Sequence, residues 1–128
     1  MTSPPEPTAA ATGRRRPSAR LPGAAEVPEG WRLDPVRPAI ERVYRFPDFG
    51  AAFAFMARVA LLAERMDHHP EWRNVWNRVE IVLTTHDAGG ITDLDLEMGA
   101  AIESIARSAG ATQEAPEISP SAARKPSR

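Results

Sequence analysis

The sequence contains no cysteine, which excludes disulfides, thiolate catalysis and cysteine-based metal sites. It has no marked excess of charge either. Its 16 Lys and Arg against 17 Asp and Glu leave a formal net charge of −1, so no global field draws the chain to nucleic acid or an acidic membrane. No apolar run approaches the roughly 18 residues of a membrane span. The N-terminus lacks the apolar core, about 7–15 residues long, of a secretory signal. A soluble cytoplasmic chain, with no membrane and no nucleic-acid partner, is the expectation. The 128 residues suffice for one domain and little more.

What is present is unevenly spread. Of 13 prolines, only Pro47 and Pro70 fall between Pro38 and Pro116, and all aromatic residues lie from Trp31 to Trp76. Residues 1–30 and 109–128 are rich in Pro, Ala, Ser, Thr, Arg and Glu and cannot bury enough apolar surface to offset their ordering entropy. Both are expected to be disordered tails around a domain over 31–108. Charge follows the same division: each tail carries a net +1 and the central part −3. The Arg14-Arg15-Arg16 run reads as solvated tail charge. A domain this small gains burial by oligomerising, a first pointer to a homo-oligomer.

Within 31–108 the hydrophobic pattern changes period. Trp31 to Leu33 reads as a short strand and Ile40 to Phe46 as a second, with Asp34–Pro38 as the loop between them. Asp48 is a suitable N-cap for a helix to about Met66. Phe49, Phe53, Met56, Ala60 and Ala63 form one apolar stripe on it; Phe55, Val59, Leu62 and Met66 form another. A face that wide predicts contact with a sheet and with a second surface, for which a partner subunit is one candidate. Trp72–Val75 and Arg78–Thr85 read as a hairpin turning near 76–78. Asp87–Gly90 is a loop. Thr92 caps a last helix to about Ser108, with Asp93 and Asp95 in its first turn and Leu94, Met98, Ala101 and Ile105 as its buried stripe. Strand, strand, helix, strand, strand, helix predicts an α+β fold: a four-stranded antiparallel sheet with helices packed on one face.

The three histidines, His68, His69 and His86, are the candidate chemistry. A hairpin turning at 77–78 sets His69 opposite His86, so all three imidazoles gather at one end of the sheet. Glu64 lies one turn before His68, and Asp67 adjoins it. Groups titrating near neutrality beside carboxylates suit acid–base chemistry. No activated nucleophile lies beside them, since Thr84 and Thr85 lack the features of one. Three histidines can hold zinc, but adjacent side chains such as His68 and His69 diverge, so no metal is read here. Trp72 and Trp76 read as core or edge packing, though an exposed indole can stack on a flat heterocycle. Gly89-Gly90 reads as a turn, because no Lys-Ser/Thr follows as in a phosphate loop.

The run Glu64-Arg65-Met66-Asp67-His68-His69-Pro70-Glu71-Trp72-Arg73-Asn74-Val75, with Thr84-Thr85-His86-Asp87, Gly89-Gly90-Ile91-Thr92 and Asp95, resembles the pterin carbinolamine dehydratases. Glu64, His68, His69, Pro70, Trp76, His86 and Asp95 fall at that family's spacings, and Asp48-Phe49 and Ala52–Met56 look like its first core helix. The resemblance covers about 31–108. Two departures stand out. Relatives commonly begin with an extra helix where Leu21–Gly30 is here rich in Pro and Gly, and the aromatic at Trp76 is often Tyr.

The resemblance implies a dimer, or a tetramer of dimers. It implies dehydration of 4a-hydroxytetrahydrobiopterin or a related pterin to the quinonoid dihydropterin, recycling the cofactor of an aromatic amino acid hydroxylase, with no metal or organic cofactor. His68 and His86 are expected to transfer protons, His69 to orient the pterin, and Glu64 and Asp67 to fix tautomers. Thr84, Thr85 and Asp87 are expected to hold the pterin edge, and Pro70 and Trp72 to line the pocket. The alternatives are a dimerisation partner for a transcription factor and a divergent member serving folate or molybdopterin chemistry.

Overall fold

The computed structural model describes residues 18–113; of the tails expected at 1–30 and 109–128, residues 1–17 and 114–128 lie outside them. The elements are β1 (Arg32–Leu33), β2 (Ile40–Arg45), α1 (Phe49–Met66), β3 (Glu71–Val75), β4 (Arg78–Leu83), α2 (Asp93–Ser108) and β5 (Thr112–Gln113). The antiparallel strands run in the order β1-β2-β4-β3. The first two strands, both helices and the later hairpin thus lie close to where periodicity places them.

One face of the sheet is buried. Ile40, Arg42 and Tyr44 of β2 point inward, as do Val79, Ile81 and Leu83 of β4. Ala52, Phe55, Val59, Leu62 and Ala63 of α1 and Met98, Ile102 and Ala106 of α2 close over them. The Phe55 ring sits 5.3 Å from Tyr44 and 4.8 Å from Phe46, centroid to centroid. Burying a ring of this kind contributes roughly 1.5–3 kcal/mol. Of the two stripes on α1, that of Phe55, Val59 and Leu62 faces this core. Phe49 and Phe53 of the other point outward, 52% and 59% exposed, with their rings 6.1 Å apart.

The buried face of α2 is not purely apolar. Met98 lies on it as expected, but Leu94, Ala101 and Ile105 are only half-buried. Asp95 and Glu103 are buried instead. Glu103 accepts two hydrogen bonds from Arg42, each 3.0 Å, and one from the Tyr44 hydroxyl at 2.5 Å. Burial alone would raise the Glu103 pKa, but the bonds from Arg42 and Tyr44 outweigh it and hold the carboxyl below its ordinary range. Burial and the nearby Glu103 carboxylate push the Tyr44 phenol up, so it stays a neutral donor.

The hairpin register differs from the expected one. Val75 pairs with Arg78 and Glu71 with Val82, so the turn is Trp76-Asn77 and the pairing lies two residues from the expected one. A slip of two preserves which side chains share a face, so the inward set is unchanged. In this turn Trp76 takes a left-handed conformation, φ 52°, that its bulk does not favour. Tertiary bonds hold the turn in place. Asn77 donates to the Phe46 carbonyl at 2.8 Å, and Arg45 donates to the Asn77 side chain at 2.9 Å.

Both ends of the domain extend beyond 31–108. Thr112–Gln113, placed by composition in a tail, pairs with Arg45 and Tyr44 of β2. Residues 18–30 also carry definite structure. A single 3₁₀ turn spans Ala24–Glu26, Pro22 is buried, the Arg20 N–H donates to the Ile91 carbonyl, and the Arg20 guanidinium spans Glu26 and Asp93 at 2.8–2.9 Å.

Candidate active site

The end of α1 directs the first histidine. Asp67 adopts the left-handed conformation, φ 51°. Its N–H reaches the Glu64 carbonyl and the His68 N–H reaches the Ala63 carbonyl, the paired bonds of a Schellman ending. The chain reverses there and sends His68 inward, while His69, one residue on, stays 58% exposed. Asp67 thus acts through its backbone at this corner; its side chain is exposed.

His68 meets Asp95 at the first turn of α2, with Nε2 and Oδ1 2.6 Å apart. An ionised carboxylate only accepts, so the imidazole donates from Nε2 and keeps Nδ1 as its second nitrogen. The other Asp95 oxygen accepts from the Thr85 hydroxyl at 2.8 Å and the Thr92 N–H at 2.9 Å. Thr85 and Thr92 hydroxyls are themselves 2.7 Å apart. Asp95 is fully buried. The capping-box bond, the positive end of α2 and these donors replace the water it has lost. One carboxylate therefore ties three places together: the end of α1, the end of β4 and the start of α2.

His69 and His86 each directly follow a residue bound to Asp95, His68 and Thr85 respectively. Each of these two imidazoles has its own carboxylate. His69 Nε2 lies 2.7 Å from Glu64, and His86 Nε2 lies 2.8 Å from Glu71. His86 opens a 3₁₀ turn, His86–Ala88, closed by the Thr85–Gly90 bridge with Gly89 at φ 78°. Asp87 is exposed on that turn. The Thr84 hydroxyl is committed within the fold, donating to the Pro38 carbonyl at 2.8 Å. Pro70 is half-buried and Trp72 is 36% exposed on β3. Trp76 lies at the far end of that hairpin, in its turn.

Glu71 is the site residue the sequence reading did not single out. It also accepts two bonds of 3.0 Å from Arg37. The Arg37 bonds first, and His86 second, hold the Glu71 carboxyl below its ordinary range. Among the described residues, no three His, Asp or Glu side chains are arranged to hold a metal ion.

The family model described as Pterin 4 alpha carbinolamine dehydratase matches residues 16–105. The chain belongs to this family. Relatives within the pterin carbinolamine dehydratases bear that activity in provisional names. A Bordetella avium protein is 57% identical over 82 residues, covering 64% of this chain and 76% of its own. One from Rhizorhabdus wittichii is 64% identical over 76 residues, 59% of this chain and 78% of its own. Among solved structures, a Brucella melitensis protein described as a transcriptional coactivator/pterin dehydratase superposes with a TM-score of 0.60 at 49% identity, over 61% of this chain and 83% of that one. The dehydratase family match begins at residue 16, ahead of the expected domain start, in keeping with the ordered segment from residue 18.

Proposed function

We propose that this chain dehydrates a 4a-hydroxytetrahydropterin to the quinonoid dihydropterin by acid–base catalysis from its histidines. The reaction is a balanced loss of water. A protonated imidazole gives its proton to the C4a hydroxyl, the C4a–O bond breaks, and water leaves. The N5 lone pair forms the C4a=N5 bond, and a neutral imidazole takes the N5 proton. Imidazole can serve as general acid in one half and general base in the other.

The observation that supports this reading is three imidazoles each hydrogen-bonded through Nε2 to its own carboxylate, with His69 and His86 each directly following a residue bound to the buried Asp95. His68 and His86 act as the proton-transfer pair. His69, oriented by Glu64, binds the pterin. Thr85 acts through Asp95, while Trp72, Pro70 and the backbone of Thr84 and Asp87 border the ring. A homo-oligomer is part of the reading, supported by the outward Phe49–Phe53 pair on α1. So is service to an aromatic amino acid hydroxylase, which the chemistry of the substrate implies.

The test is turnover of 4a-hydroxytetrahydropterin generated in a coupled hydroxylase assay. Wild type is expected to accelerate dehydration above the spontaneous rate, and His68→Ala and His86→Ala to lose that acceleration. A His86→Ala protein with full turnover removes His86 from the scheme. A second reading, a dimerisation partner in transcription, draws on the description of the Brucella protein and the same outward phenylalanines. A folded wild type with no turnover favours it.

A further inference from the structure

Arg37 and Glu71 stand outside the site residues that the resemblance implies, yet Glu71 takes the hydrogen bond of the His86 ring and Arg37 in turn bonds Glu71. Glu71 Oε2 is shared between the His86 Nε2–H at 2.8 Å and an Arg37 nitrogen at 3.0 Å, while Oε1 takes the second Arg37 bond at 3.0 Å. A two-point Arg–carboxylate pair fixes the carboxylate plane as a single contact does not. The loop bearing Arg37 is itself pinned. Asp34 accepts the N–H groups of Val36 and Arg37 at 2.7 and 3.0 Å, the Asp34 N–H donates to the Ala39 carbonyl, and Thr84 ties the Pro38 carbonyl to the end of β4. Exposed ion pairs alone contribute little to stability. A group from the β1–β2 loop and one from the β4–α2 turn meeting at one carboxylate of β3 call for another explanation.

We propose that Glu71, braced by Arg37, is a positioning residue for His86: it holds the ring with Nε2–H toward the protein and leaves Nδ1 as the nitrogen that meets the pterin. This rests on the dehydratase reading of the same site. The arrangement mirrors His68 and Asp95, where a carboxylate also takes Nε2–H. The two proton-transferring rings are then alike in tautomer and differ in burial.

A double-mutant cycle tests it. Glu71→Ala is expected to lower kcat about 10- to 100-fold, the range seen when the outer carboxylate of a metal-bound imidazole is removed, with KM changed less than about twofold. Glu71→Gln keeps an oxygen that accepts Nε2–H and is expected to restore most of kcat. Any rate above the spontaneous one that remains in a His86→Ala background should be unchanged by Glu71→Ala, since Glu71 acts only through that ring. Arg37→Ala, which leaves the Glu71–His86 bond in place, is expected to cost less than Glu71→Ala. An equal loss in both backgrounds, or full kcat in Glu71→Ala, overturns the proposal. The ring itself supplies a readout independent of turnover. The 15N shifts of His86 should report a single Nε2–H tautomer in wild type and a mixture in Glu71→Ala. If wild type shows no dehydratase activity, the functional reading fails on its own, and the tautomer decides: an unchanged mixture in both proteins refutes the positioning role.

Discussion

Two carboxylates lie buried on the same helix, eight positions apart, and they are partnered in opposite ways. Glu103 faces Arg42, a cation that never releases its proton at any working pH, and the Tyr44 hydroxyl. Asp95 faces the His68 imidazole, together with two threonines. The first pair is a fixed charge that locks β2 to α2. The second ties the end of α1 to the start of α2 and, on the proposed reading, holds the proton-transferring His68 in one tautomer. The helix face is the same; the partner differs, a guanidinium for Glu103 and an imidazole for Asp95.

Substitutions can break the comparison from either side. The largest effect is expected from Asp95→Asn. Its amide would present a donor to His68 Nε2, favouring the wrong tautomer, and turnover should fall roughly 10²- to 10⁴-fold while the protein still folds. Steady-state dehydratase assays beside a circular dichroism melt check this. Glu103→Ala should do the reverse. Leaving Arg42 buried without its carboxylate should cost about 3–5 kcal/mol in chemical denaturation, with turnover per folded molecule retained.

Acid sharpens the contrast. Glu103 and Glu71 titrate below their ordinary range in the folded chain, and the Arg20 bond, aided by the Gly23 N–H, holds Glu26 at about 2. Carboxyls depressed on folding stabilise the native state above their unfolded pKa, about 4.5, and lose that contribution as pH falls through the folded values. Tm should therefore drop progressively from about pH 5 toward pH 2. Glu103 should contribute most of the slope, because Glu71 and Glu26 are largely solvated. Glu103→Gln should flatten the curve, and unchanged steepness would count against this account. The smallest effect is expected on the outer surface. Phe53→Ser should leave the monomer's fold stability within about 0.5 kcal/mol and shift sedimentation toward smaller species.

Much of this was legible in the sequence, and what was not has physical causes. Asp48 marked the start of α1, and the alternation in β2 and β4 gave the inward face. The register of the β3–β4 hairpin was not readable, because a tryptophan in a left-handed turn carries no local signal. Apolar periodicity misplaced the buried stripe of α2, since Glu103 and Asp95 are buried by partners on β2 and at the end of α1. β5 exists through its pairing with β2, beyond the reach of local propensity. At the site, the motif drew attention to His68, His69, His86, Glu64 and Asp95. Glu71 stood in the same run without a signal, because its meeting with Arg37 and His86 depends on strand register and on the loop before β2.

Arg20 has a practical consequence for anyone handling this protein. Composition suggests trimming the chain at residue 30, where the prolines thin out and the aromatics begin. That cut would remove the backbone bond to Ile91 and the guanidinium that grips Asp93, two residues before the carboxylate that anchors His68. The tether at the front of the chain thus reaches the helix start that holds Asp95. A shortened version should begin no later than Ser18, and one begun at residue 31 should show faster amide exchange from Thr85 to Asp95 before any loss of the sheet.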